Sequence, residues 1–324
     1  MNVHLYYDYL RLRDRPSNTP QPAETCRRRG STTNGSTLHD CVCGVRTTWG
    51  TRAASNFLKS RKRDSSKPSL TPMAASKVII LTGASRGLGW VIAHDLLQRS
   101  HNLVLLSRTE APLHELEKQY SGQVAILAGD LADFSLAAKA VELAQSRWKR
   151  VDGLIVNHGL LDPVKKIADS SAEEWRTAYD VSFFSAVALC QAAIPALRES
   201  KGKIILTSSG AAGNAYQGWG AYGSAKAAMN HLALTLAKEE PDIVSLAIRP
   251  GIIDTEMQRE IREKHQPAMG SADGQKFLDL KASDKLIRPE KPGHVMAKLV
   301  LDAPKELSGR FLQWDAEELT AFQE

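Results

Sequence analysis

Cysteine is scarce. The 324-residue chain has four, and Cys26, Cys41 and Cys43 fall within the first 72 positions, so Cys190 stands alone in the rest. That excludes a disulfide framework and points to a reducing, cytoplasmic setting. Cys41-Val-Cys43 has neither a second pair nor histidines at ligand spacing, so no metal site is expected. No apolar run approaches the roughly 18 residues that cross a bilayer. Aromatic residues make up only 6%, beside 43% hydrophobic and 24% charged, the balance of a soluble globular enzyme. The body also lacks a charge excess. Residues 1–75 hold 13 Lys+Arg against 5 Asp+Glu, and the remainder 29 against 31, so the net +6 belongs to the front segment. Neither nucleic acid nor a membrane is therefore expected as a partner.

Residues 1–72 are rich in Arg, Ser, Thr and Asn and show no sustained apolar period. Such a segment buries too little apolar surface to offset its ordering entropy and is expected to be a disordered basic tail. A presequence is disfavoured by Asp8 and Asp14. A localisation patch at Lys59, Arg61, Lys62 and Arg63, or an upstream extension ahead of a start at Met73, stays open. Truncation to Met73 is expected to leave folding and activity unchanged.

Residues 73–324 alternate short apolar runs with amphipathic segments. The runs are Lys77 to Leu81, Leu103 to Leu106, Val124 to Leu127, Leu154 to Val156, Ile204 to Leu206 and Ile243 to Ile248; between them lie stretches such as SLAAKAVELAQSRW with helical spacing. Parallel strands need crossover helices, so the pattern specifies an α/β fold. A single doubly wound Rossmann domain is predicted, with a parallel sheet of about seven strands and ligands at the strands' carboxyl ends.

The first run leads through Thr82, Gly83, Ala84, Ser85, Arg86, Gly87, Leu88 and Gly89 directly into a helix. Glycines let the backbone turn tightly against a pyrophosphate whose charge rests on the helix N-terminus. After the second run, an acidic residue would bind the ribose hydroxyls of NAD; the chain has Ser107-Arg108-Thr109 instead. Arg108 and Arg86 suit a 2′-phosphate, so NADP(H) is predicted. Asp130 is placed either on the adenine amino group or as a helix cap.

These residues, with Asn157-His158-Gly159, Ser209, Tyr222-Gly-Ser-Ala-Lys226 and Arg249-Pro250-Gly251-Ile-Ile-Asp-Thr255, occur in the order and spacing of the short-chain dehydrogenase/reductase family, which the chain resembles from residue 77 to about 314. Within it, VNHGLLDPV and the SSGAAGNAYQGWGAYGSAK run resemble a fungal benzil reductase branch and, more distantly, sepiapterin reductase. The resemblance implies hydride transfer between alcohol and carbonyl by a homodimer or homotetramer. It also implies a cofactor cleft lined by Asn157, a Pro250-Gly251 turn that brings Ile253 to the carboxamide and Thr255 to the pyrophosphate, and a ribose held by Tyr222 and Lys226.

On one helix Tyr222 and Lys226, four apart, face the same way, and an ammonium beside the phenol is expected to lower its pKa. Tyr222 then serves as proton donor, with Ser209 steadying the developing oxyanion; Ser208 is expected to face the other way. Where the family carries a helix asparagine that organises a proton relay, this chain has Ser182. His158 is expected to pack or line the cleft rather than to act as acid or base.

The substrate mouth is expected to be apolar and aromatic, formed by Leu160, Leu161, Tyr216, Trp219, Met257 and Met269. That suits a hydrophobic ketone or aromatic α-diketone. A pterin is the alternative: the resemblance to sepiapterin reductase places Gln313 where that enzyme's pterin-holding aspartate falls, and Asp315 would restore the carboxylate if both lay on one strand. A catalytically idle NADPH-binding sensor or scaffold is the rival from another class, disfavoured by the joint presence of Ser209, Tyr222 and Lys226.

Overall fold

Seven strands pair in parallel in residues 76–324, the part of the chain that the computed structural model describes. They are β1 (Val78–Thr82), β2 (Asn102–Ser107), β3 (Val124–Ala128), β4 (Gly153–Val156), β5 (Lys203–Thr207), β6 (Val244–Arg249) and β7 (Phe311–Gln313), in the order β3-β2-β1-β4-β5-β6-β7. The tail assigned to residues 1–72, with its basic patch, lies outside the described residues.

Each of the first six strands is an apolar run because both sheet faces are covered. Alternate residues make two cores. Ile79, Leu81, Leu103, Leu105, Ile155 and Ile205 pack with α1 (Gly87–Gln98) and α9 (Glu290–Asp302) through Ile92, Leu96, Val295 and Leu299. Ile80, Val104, Leu154, Ile204 and Leu206 face α3 (Ser135–Trp148), α5 (Ser185–Ser200) and α6 (Gly220–Glu239) through Val141, Leu189, Met229 and Ala233. Further helices are α2 (Ala111–Gln119) and α4 (Ala172–Tyr179) and, contributing to the cleft, α7 (Glu256–Glu260) and α8 (Gly270–Ala282).

Helix α4 starts with a capping box, Ser171 accepting from the Glu174 N–H at 3.2 Å while the Glu174 carboxylate accepts from the Ser171 N–H at 2.9 Å. It continues through a π-turn, Asp180–Phe184, into α5. Among the described residues Ala172–Ser200 is the one stretch with the length and mean hydropathy, 1.5, to match a bilayer. Its apolar content has a nearer explanation, since Ala186, Leu189, Cys190, Ala193 and Leu197 are buried against the sheet.

Strand order reverses between β1 and β4, and their carboxyl ends open a crevice there. The Gly83 loop after β1 and the Asn157 loop after β4 meet in it: a Cβ on Gly83 would stand 3.1 Å from both Asn157 Nδ2 and the His158 Cα.

Candidate active site

The turn after β1 is shaped for an anion. Gly83 and Gly87 have φ of +66° and +55°, which strain any residue with a side chain. Arg86 occupies the N-cap position of α1 with extended backbone and no side-chain cap, and no acidic residue sits in the first turn, so the helix N–H groups stay available. Ser85, Arg86, Gly87 and Leu88 line the cleft, joined by Arg108 and Asp130. The Ser107 hydroxyl, also in the cleft, donates to Ser85 Oγ at 2.7 Å and accepts from the Thr109 N–H at 3.2 Å, fixing the strand end from which the exposed Arg108 extends. Arg86 Nη1 lies 3.4 Å from Glu260 Oε1 of α7. These features fit a dinucleotide pyrophosphate.

Two residues assigned to the cofactor do not line the cleft. Thr82 is fully buried, and its hydroxyl accepts from the Asn157 N–H at 3.0 Å and reaches His158 Nδ1 at 2.7 Å, tying β1 to the β4 loop. Gly89 sits behind the turn, where a Cβ would come within 2.1 Å of the Gly83 carbonyl oxygen. Asp130 is not the helix cap either: it accepts from the Ala132 N–H at 3.0 Å, whereas Asp133 receives the Ser135 N–H at the start of α3.

On the far side, Asn157 donates from Nδ2 to the Gly83 carbonyl at 3.3 Å and accepts from the Thr207 hydroxyl at 3.4 Å. The Pro250-Gly251 turn, Ile253 and Thr255 line the cleft. Gly251 has φ +80°, and a bridge between Ile253 and Ile287 uses the Ile252 carbonyl and the Asp254 N–H, leaving the backbone groups of Ile253 out of it. Thr255 abuts the phosphate turn, its Cγ2 standing 3.2 Å from where a Gly87 Cβ would be.

Ser209, Tyr222 and Lys226 converge at the inner end. Lys226 Nζ donates to the Thr207 carbonyl at 2.7 Å and lies 5.9 Å from the Tyr222 ring centre. Burial, with no carboxylate beside it to compensate, brings its pKa down to about 8. The expected lowering of the Tyr222 pKa is not found. Burial pushes the phenol up, because the penalty for enclosing a phenolate exceeds the opposing help of a hydrogen bond with the Ser209 hydroxyl. Ser208 is turned away as expected, donating to the Lys226 carbonyl at 3.4 Å.

His158 is a strut. Nε2 is 2.9 Å from the Val181 carbonyl, which only accepts, so that nitrogen carries the proton; Nδ1 then accepts from the Thr82 hydroxyl. Burial first, and the Lys226 charge second, lower its pKa to about 3, so the ring stays neutral. It ties the β4 loop to the π-turn. Ser182, within that turn and buried, accepts from the Leu160 N–H at 3.1 Å and so anchors this part of the cleft wall.

Leu160, Leu161, Tyr216, Trp219 and Met257 line the mouth. Met269 does not: it is 1% exposed and belongs to a small core beneath, with Ile261 and Phe277. Phe277, on α8, reaches the cleft and was not legible in the sequence, since only the return of α8 over Trp219 brings it there. Trp219 stacks on Phe277 with centroids 5.4 Å apart and meets the Tyr222 ring edge-on at 5.7 Å. Gln313 ends β7, Asp315 lies in the following turn rather than on the strand, and neither lines the cleft.

A family model described as short chain dehydrogenase matches residues 77–266. The chain is 39% identical over 242 residues to an uncharacterized oxidoreductase of Schizosaccharomyces pombe, covering 74% of this chain and 97% of that one. It is 36% identical over 260 residues to a benzil reductase, (S)-benzoin forming, of Saccharomyces cerevisiae, covering 76% and 99%. A crystal structure of a short-chain dehydrogenase/reductase from Saccharomyces cerevisiae superposes with a TM-score of 0.75 at 36% identity, covering 77% of this chain and all of the other. With the strand order, the glycine turn and the converging Ser209, Tyr222 and Lys226 in place, the chain belongs to the short-chain dehydrogenase family and is an oxidoreductase acting on carbonyl or CH–OH groups.

Proposed function

We propose that this enzyme reduces a hydrophobic ketone or aromatic α-diketone with NADPH, Tyr222 acting as proton donor. The observation that carries the reading is the pairing of a phenol and a serine hydroxyl at the base of a mouth whose other walls are Leu160, Leu161, Tyr216, Trp219, Phe277 and Met257. The bound nicotinamide supplies hydride to the carbonyl carbon. The carbonyl oxygen is received by Ser209 and Tyr222; the serine donates a hydrogen bond to the developing negative charge, and the phenol passes over its proton. Lys226, charged below its pKa of about 8, stabilises the phenolate left behind.

The choice of NADPH over NADH rests on Arg108 and Arg86 at the adenosine end, where the β2 terminus offers no carboxylate. The aromatic walls agree with the benzil-reducing activity for which the yeast relative is named. Gln313 and Asp315 lie off the cleft, which tells against a pterin anchored by a carboxylate. Phe184 and Leu234, 45% and 56% exposed on the α4–α5 and α6 side, suit burial in a homodimer or homotetramer. A cytoplasmic location fits the buried, unpaired Cys190 and a 35% identical Saccharomyces cerevisiae protein described as cytoplasmic.

The test is NADPH oxidation by purified protein with benzil, simple aryl ketones and sepiapterin. The kcat/KM for benzil is expected to exceed that for sepiapterin by at least about tenfold. A preference for the pterin, abolished by Asp315→Ala, would overturn the substrate assignment.

A further inference from the structure

Arg86 has a partner already. Its Nη1, at the cleft lining, stands 3.4 Å from Glu260 Oε1 on α7, and among the described residues neither side chain has another ion pair. The two other charged residues of α7 pair with each other: Arg259 Nε donates to Glu256 Oε2 at 3.0 Å. Arg108, by contrast, has no ion pair among the described residues. The two guanidiniums that suit a 2′-phosphate are therefore unequal, one free and one shared with a carboxylate.

We propose that Glu260 is a specificity-determining residue that competes with the 2′-phosphate of NADPH for the Arg86 guanidinium, and so sets how strongly the phosphorylated cofactor is preferred. The inference rests on the NADPH reading above. A phosphate drawn to Arg86 either displaces the Glu260 carboxylate or comes to rest beside it, and both outcomes weaken phosphate binding: the first breaks an ion pair, the second sets like charges together. NADH carries a neutral hydroxyl at this point, so its binding depends far less on the Glu260 charge. Both side chains retain solvent contact, 60% exposed for Arg86 and 29% for Glu260, so the competition is modest and screened by salt.

The experiment is calorimetric titration of the full chain and of Glu260→Gln with adenosine 2′,5′-bisphosphate and with 5′-AMP. The glutamine keeps the shape and removes the charge. In low salt, Glu260→Gln is expected to bind the bisphosphate about threefold to tenfold more tightly, with 5′-AMP unchanged and the gain shrinking as salt approaches about 1 M. Adding Arg86→Met should erase the gain. If wild type prefers the bisphosphate but Glu260→Gln binds it no better or more weakly, Glu260 does not compete and the inference fails while the NADPH reading stands. If wild type holds the two nucleotides equally, the NADPH reading fails and takes the inference with it.

Discussion

Lys226 Nζ donates to the Thr207 carbonyl at 2.7 Å while standing 5.9 Å from the centre of the Tyr222 ring. The lysine is thus held beneath the phenol by a backbone carbonyl of β5 rather than by a carboxylate, and its charge is costly. Burial lowers its pKa to about 8 and raises that of Tyr222. In neutral solution the pair is phenol plus ammonium. As pH rises the lysine loses its proton first. Accordingly kcat/KM for ketone reduction should be level through neutrality and fall as pH passes about 8. A rate that stays constant to pH 10 would show that the Lys226 charge is not used.

His158 should make the enzyme acid-sensitive. Its pKa is lowered from 6.5 to about 3 in the fold, so the unfolded chain takes up a proton below pH 6.5 that the native ring refuses. The stability is complete above 6.5 and lost as pH falls toward 3. Between pH 6.5 and 5 the loss is about 2 kcal/mol. Urea unfolding at pH 7 and pH 5 should show a loss about 2 kcal/mol larger in wild type than in His158→Gln, which keeps the smaller contribution of the burial-lowered His101, and equal losses in the two proteins would contradict the assignment.

Gly89 tolerates no side chain. A Cβ there would meet the Gly83 carbonyl oxygen at 2.1 Å and Asn157 Nδ2 at 2.7 Å, both parts of the phosphate turn's own scaffold. Gly89→Ala should cost at least about 2 kcal/mol and lower the melting temperature, because backbone rather than a flexible side chain must move. Gly213→Ala, with nothing within 4 Å, is the control and should melt with wild type.

Cofactor preference should follow Arg108. The residue is exposed and has no ion pair among the described residues, so Arg108→Asp replaces an available guanidinium with a like charge facing the 2′-phosphate. Ratios of kcat/KM for NADPH and NADH should fall by about a hundredfold or more, the loss of a charge-assisted contact plus repulsion. An unchanged ratio would move the phosphate site elsewhere.

Much of this architecture is visible in the sequence because both sheet faces are covered: β1 to β6 are each built on a mostly apolar run. β7 lacks that signal, with Leu312 its one buried residue beside an exposed Phe311 and a half-buried Gln313. At the site, the glycine turn and the Tyr222–Lys226 pair are legible because their spacing is local. Phe277 and the exclusion of Met269 depend on how α8 folds back, which no local pattern encodes. The direction of the Tyr222 shift is not legible there for a related reason. Sequence shows that an ammonium is near, but not how deeply the ring is enclosed.

The central claim is that Tyr222 is the proton donor, and Tyr222→Phe tests it most directly. The variant deletes the hydroxyl and keeps the ring that packs edge-on against Trp219. Single-turnover oxidation of bound NADPH by benzil should fall to less than about a tenth of the wild-type rate, more than 1.4 kcal/mol of barrier, while NADPH affinity stays within about twofold. A Phe variant that retains NADPH binding and keeps more than about a tenth of the rate would contradict the account.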